Sequence, residues 1–225
     1  MLQAACPLAF DPAVHEYRLN WIRVPSVTGV LKGSGYIDLS GIPHAVLEAA
    51  RARGTRVHAA LHYLLEDDLD LSTVDEGDRG YLESAQQYLA KHVTRAIRAE
   101  CRLWSERYQC AGTTDLIAVH DDGFASIDDF KTGEPSDVAA DLQTAAYHGF
   151  ALEMANHDYP LWLDLMGGNT PKIVRRRSIR LFKDGREARE TLYHDHRDYA
   201  RFLNALTVVH DLWKRPAPMP WDEER

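Results

Sequence analysis

Two short runs of alternating residues joined by a D-D-G turn constrain this chain more than any other feature. Leu116 to Val119 and Phe124 to Phe130 read as the strands of a hairpin. Asp115 stands at the first strand and Asp129 on the second. Side chains two apart share a strand face, which puts Asp129 and Lys131 on one side of the second strand, beside Asp115 of its neighbour. Two carboxylates converging on a partly buried sheet surface cost several kcal/mol unless a cation offsets them, and a divalent metal does this best. The pattern points to a hard-metal site.

The wider pattern is more specific. G-T-T-D (Gly112–Asp115), I-D-D-F-K-T-G (Ile127–Gly133) and Q-T-A-A-Y (Gln143–Tyr147), with G-T-R-V-H (Gly54–His58) upstream, resemble the PD-(D/E)XK nuclease superfamily in its RecB-like and phage-type exonuclease branch. The resemblance covers roughly Gly54 to Tyr147, with Thr114 where the signature names Pro and Asp129 rather than Glu as second acid. It implies an α/β fold with a nuclease core, a central mixed β-sheet flanked by helices. It also implies that Asp115, Asp129 and Lys131 are catalytic, and that His58, Asp115, Asp129 and the backbone carbonyl of Phe130 hold the metal. Gln143 and Tyr147 then contact a DNA phosphate or brace Lys131. Glu100 stands at a distance from Asp115 that recurs in the family, and two readings stay open for it: a metal ligand or a strand-end salt bridge.

Such a site suits Mg2+ or Mn2+, since oxygen ligands leave room for water and phosphate while an imidazole shifts the preference towards manganese. Lys131 has two possible roles, and magnitude separates them. To be neutral near pH 7 its pKa must fall by about three units from about 10.4, some 4 kcal/mol, while two adjacent carboxylates push it the other way. An ammonium that positions water and stabilises charge on the phosphate is the better reading.

Charge sets a further condition. The chain of 225 residues carries a net charge of −8, yet non-specific affinity for DNA comes largely from Lys and Arg on phosphates, so its basic groups must be gathered locally. Arg51, Arg53 and Arg56 before His58 are one candidate cluster, and Arg175, Arg176, Arg177 with Arg180 are another. Either is equally readable as a solvated face. Three cysteines at unpaired spacings fit a reducing compartment. They are too few for the iron–sulfur cluster that some nucleases of the branch carry. No G-x-x-x-x-G-K-[ST] is present, so no motor is expected, and His58 with His62 lacks the His-Glu-x-x-His context of a zinc pair. Without a leader-like N-terminus or a long apolar run, the chain is expected to be cytoplasmic, bacterial or phage-encoded, with no membrane partner.

At 45% apolar content one core is expected, hence a single domain over residues 1–225. A hairpin is expected over 15–24, turning near Asn20 and Trp21, then a helix capped by Ser26 and stopped by Gly33 and Gly35. Ile42 to Glu66 reads as two helices broken at Gly54, and Glu66 to Asp78 as a solvated acidic linker. A helix from Tyr81 to near His92, a strand from Ile97 to Tyr108 and a helix from Val138 to Asn156 follow. Ile173 to Phe182 and a run through Leu192 read as strands, His196 to Trp213 as a helix, and the Pro-rich 216–225 as an extended tail.

The resulting expectation is a divalent-metal-dependent DNA nuclease, exonucleolytic, serving replication, recombination or repair, with DNA and a replication or recombination protein as partners. A structure- or sequence-specific endonuclease and a non-cleaving DNA-binding protein of nuclease fold are the alternatives. No DNA-reading module such as a helix-turn-helix is evident to favour sequence specificity.

Overall fold

A computed structural model describes residues 6–133, 137–156 and 174–214. The chain opens with strands β1 (Leu8–Asp11), β2 (Glu16–Leu19) and β3 (Ile22–Val24), an antiparallel three-stranded sheet. The expected hairpin is therefore its second half. Asn20 and Trp21 both take positive φ, 49° and 70°, between Leu19 and its partner Ile22. That is the backbone twist a two-residue hairpin turn requires. Leu8 had no alternating neighbours long enough to announce β1, which forms because Leu8, Tyr17, Leu19 and Val24 bury together against Ala111.

Helix α1 (Val27–Gly33) starts as expected, with the Ser26 hydroxyl accepting from the Gly29 amide at 3.0 Å. Helix α2 (His44–Leu65) corrects the sequence reading, because it runs unbroken through Gly54. A mid-helix glycine costs only about 1 kcal/mol relative to alanine. Burial of Val57 and Leu61 downstream outweighs that.

The acidic segment after α2 is a second correction. Asp70 caps a single 3-10 turn at Leu71–Thr73, accepting from Ser72 N at 2.8 Å, and α3 (Glu76–His92) begins before the expected boundary. Asp78 is not solvated; it is buried within α3 and accepts from Arg56 at 2.6 Å.

The main sheet has five strands in the order β4 (Val93–Ser105), β5 (Cys110–His120), β6 (Ala125–Lys131), β7 (Arg175–Arg180) and β8 (Arg189–Tyr193). All neighbours are antiparallel except β6 and β7, which are parallel with α4 (Asp137–Ala155) between them in sequence. Strand β4 ends at Ser105, short of the expected Tyr108, because residues 106–109 make the turn into β5, with Gln109 at φ 49°. Helix α5 (Arg197–Lys214) completes the described chain. The described residues are thus a mixed α/β structure with a five-stranded mixed sheet. No described helix is long and apolar enough to cross a membrane. The expected tail over 216–225 lies outside the described residues.

Alternation gives the sheet two faces. Ile117, Ala125 and Ile127 join one core with α1, α4 and α5, through Val30, Phe150 and Phe202. Leu116, Ala118, Phe130 and Ile179 join the other with α2 and α3, through Val57, Leu82 and Tyr88.

Much of the expected basic cluster at 175–180 is consumed inside this framework, which corrects its reading as a DNA-facing group. Arg176 is buried, bonded to the carbonyls of Asp141 and Asp195 and to Asp198 Oδ2 at 2.8 Å. Arg177 is buried against Asp122 at 2.8 Å and Glu190 at 3.1 Å, and Arg175 pairs with Asp122 at 2.6 Å. Breaking one partner of such a buried pair costs about 3–5 kcal/mol. Arg176→Met is expected to lower the melting temperature by on the order of 10 °C, at about 2–4 °C per kcal/mol for a chain of this size. A thermal melt checks this, and a shift below about 2 °C would show that Asp198 is not left uncompensated.

Candidate metal centre

The sheet forks at Asp115. Strands β5 and β6 keep register from Val119 opposite Ala125 to Leu116 opposite Asp128. Beyond that point side chains replace the backbone ladder: the Phe130 amide donates to Asp115 Oδ2 at 2.5 Å, and the Thr114 hydroxyl donates to the Asp128 carbonyl at 3.1 Å. Meanwhile β6 stays paired with β7 as far as Lys131 opposite Arg180. Two-residue alternation from Ile127 carries Asp129 and Lys131 onto the α4 face of β6. Alternation from Ile117, which joins the same core, carries Asp115 onto that side as well.

Strand β4 supplies a third acid through an irregularity. Glu100 sits at φ 43°, between Ala99, opposite Leu116, and Cys101, opposite Thr114. Cys101 lies in the α4-side core while Leu116 lies in the opposite one, so the strand turns over at Glu100. A non-glycine residue held there costs about 1–3 kcal/mol, which the surrounding structure must impose. The result is convergence. A ring nitrogen of His58, a carboxylate oxygen of Glu100 and one of Asp115 all lie within 4.8 Å of one another. His58 comes from α2, anchored by its neighbours Val57 and Leu61, and its Nδ1 lies 2.9 Å from Asp115 Oδ1.

These donors fit a divalent cation. An imidazole and two carboxylates are a donor set that a hard or borderline divalent ion takes while keeping several waters. The electrostatics agree with the fit. Burial pulls the His58 pKa down, but the charge and hydrogen bond of Asp115, helped by Asp129, raise it to about 9. Burial and the Asp115 charge raise Glu100 to about 7. An imidazolium at His58 therefore offsets the converging carboxylates.

Asp129 does not join that triad in this structure. Its Oδ2 lies 2.5 Å from Lys131 Nζ, and Lys131 donates in turn to Gln143 Oε1 at 2.9 Å. Gln143 Nε2 donates to the Tyr147 hydroxyl at 3.1 Å, completing a chain along α4. Burial would lower the Lys131 pKa, yet the charges of Asp129 and Asp115 raise it, so Lys131 keeps its proton. Phe130 takes part through its backbone, while its ring fills the α3-side core.

The arginines before His58 divide. Arg51 pairs with Glu48 at 2.6 Å on the surface, and Arg53 donates to Thr132 Oγ1 at 3.5 Å, next to Lys131. Arg56 is half exposed and paired with Asp78 at 2.6 Å and Asp75 at 3.1 Å. His62 lies away from the triad, 3.6 Å from Glu66.

Other functional-looking groups were not legible in the sequence. His120 Nε2 lies 2.8 Å from Asp128 Oδ2, and Ser126 donates to the same carboxylate, all fully buried. This network satisfies its own polar atoms beneath the sheet, on the face opposite Asp129. Compared with models of known protein families and with curated proteins, the chain matches none.

Proton competition gives the centre a test. A cation must displace the His58 proton at any pH below about 9, and the Glu100 proton below about 7. Affinity for Mn2+ is therefore expected to rise about tenfold per pH unit from pH 7 to 8.5, and more steeply from pH 6 to 7. Isothermal titration in buffers of differing ionisation enthalpy measures both affinity and protons released. His58→Ala should weaken binding and flatten the upper limb; wild-type affinity that ignores pH would remove the assignment.

Proposed function

We propose that this chain is a divalent-metal-dependent deoxyribonuclease hydrolysing phosphodiester bonds, of the PD-(D/E)XK kind and, on the resemblance to the phage-type branch, acting from DNA ends. One observation carries the reading: the His58, Glu100 and Asp115 donors converge beside a lysine tethered between Asp129 and Gln143. The order of these residues in the chain, and the acid-x-Lys spacing of Asp129 and Lys131, support it independently.

A bound Mg2+ or Mn2+ would supply positive charge against the scissile phosphate and lower the pKa of a nearby water. His58, Glu100 and Asp115 would hold it, with the Phe130 backbone and Asp129 alongside. The rest falls to the chain's own groups. The Phe130 N–H holds one oxygen of Asp115, so its orientation is set before substrate arrives. Lys131, charged and braced by Gln143 and Tyr147, donates hydrogen bonds to a phosphate oxygen as negative charge grows there. Its raised pKa argues against a role as general base, because removing its proton at neutral pH works against two carboxylates.

Removing one such preorganised donor costs about 10²–10³ in turnover. Lys131→Met is expected to lower kcat on linear DNA by that factor with little change in KM. Asp115→Asn and Asp129→Ala are expected to abolish cutting while DNA binding persists. Mn2+ should support turnover at least as well as Mg2+. Covalently closed circles should survive conditions that shorten end-labelled linear DNA. Cutting retained by Asp115→Asn would defeat the site, and circles opened as fast as linear DNA is shortened would turn the reading to an endonuclease.

A further inference from the structure

Strand β4 places an arginine beside the candidate centre that belongs to neither basic cluster of the sequence. Arg102 follows Glu100 by two residues and stands opposite Thr113, which precedes Asp115 by two on β5. Paired residues share a face. The N-terminal sheet packs on that face, because the Tyr17 and Thr113 hydroxyls are 2.8 Å apart. At about 3.3 Å per residue, Arg102 lies about 7 Å along β4 from Glu100.

That sheet provides a seat for the side chain. The Arg102 guanidinium lies over the Phe10 ring, 5.2 Å from its centroid. Phe10 is held in turn by Tyr17, with centroids 4.6 Å apart, and by the His15 ring set at right angles at 5.3 Å. Stacking occupies the face of a guanidinium and leaves its N–H edge, the part that recognises phosphate in a fork. Arg102 is exposed, and among the described residues its side chain donates no hydrogen bond and joins no ion pair. In this it differs from Arg18 and Arg23 of the N-terminal sheet, which both hold Glu16, and from Arg51 and Arg56, which hold Glu48 and Asp78. A guanidinium already stacked has less rotamer freedom to lose on binding an anion.

We propose that Arg102, seated on Phe10, binds a backbone phosphate of the nucleic-acid strand one or two along from that at the Asp115 centre, which makes the N-terminal sheet part of the substrate site. This rests on the nuclease reading for the identity of the ligand. The spacing follows from the strand, since DNA carries one phosphate per about 3.4 Å of axis on each strand and Arg102 is about 7 Å from Glu100 along β4. The contact goes to phosphate and not to a base edge, so it is indifferent to sequence. The Arg102 charge also favours the carboxylate form of Glu100, so one side chain supports both a metal-facing acid and a phosphate.

The test is binding without cutting. A fluorescently labelled single-stranded DNA oligonucleotide is titrated in EDTA over a range of salt, reading anisotropy. Arg102→Gln should weaken binding several-fold at moderate salt and reduce the slope of log affinity against log salt by about 0.7. Arg102→Lys should keep the slope and recover only part of the affinity, since an ammonium lacks the planar fork. Phe10→Leu should also keep the slope and weaken binding about two- to fivefold through loss of the seat. Arg197→Gln, which removes an exposed charge already held by Asp195, should alter neither quantity. Thermal melts of each variant confirm that the fold is kept. Wild-type affinity and slope in Arg102→Gln, an equal loss in Arg197→Gln, or no binding by the wild type would overturn the assignment. Cutting assays with Mn2+ separate the two readings: wild type that cuts while Arg102→Gln binds normally sinks the phosphate contact alone, and Arg102-dependent binding without cutting sinks the nuclease reading alone.

Discussion

The carboxylate of Asp115 takes the place of a backbone acceptor for the Phe130 amide, and the geometry of the site follows from that exchange. A strand that separates from its neighbour leaves amides and carbonyls without partners, at a cost of about 1–3 kcal/mol for each buried group. Here Asp115 satisfies one amide and Thr114 one carbonyl, so β5 and β6 part without that cost. The fork lies at the end of β6, where the chain passes into the parallel α4 connection. Ligands of open α/β sheets gather at such crevices beyond strand ends.

Holding Asp115 this way also fixes the electrostatics around it. Its second oxygen lies against His58, its charge raises Glu100, and with Asp129 it keeps Lys131 protonated. Three acids and two bases thus share one corner. Gln143, backed by Tyr147, ties Lys131 to α4, and the sheet carboxylates hold its proton. Of the two basic groups, Lys131 is the one tied both to a sheet carboxylate and to α4.

How far the sequence foretold this depends on the kind of signal. The acid-x-Lys alternation, the Gln143 and Tyr147 spacing, the Ser26 cap and the turn at Asn20 each express a local period or a local bond, and these were legible. The doublet Asp128-Asp129 was legible only through spacing to Lys131; the partners that bury Asp128, His120 and Ser126, lie on the other face. Glu100 was left open because its place in the triad needs a left-handed backbone in mid-strand, which no neighbouring residue type announces. Gly54 misled for the reverse reason, since a glycine's small local cost was overridden by the burial of α2.

Arginines show the same limit at the level of charge. A run such as Arg175 to Arg177 looks like one basic patch, yet strand alternation sends its members to opposite faces, where Asp122, Asp198 and Glu190 neutralise them. Which cations adjoin is decided by register and not by clustering along the chain: Lys131, Arg180 and Arg189, from three strands, stand on one rung of the sheet. A net charge of −8 is therefore a poor guide to the field at the fork. Exposed charges more than about 10 Å away are largely screened at 0.1 M salt, so the groups within the first few strand spacings of Asp115 set the potential that a phosphate meets.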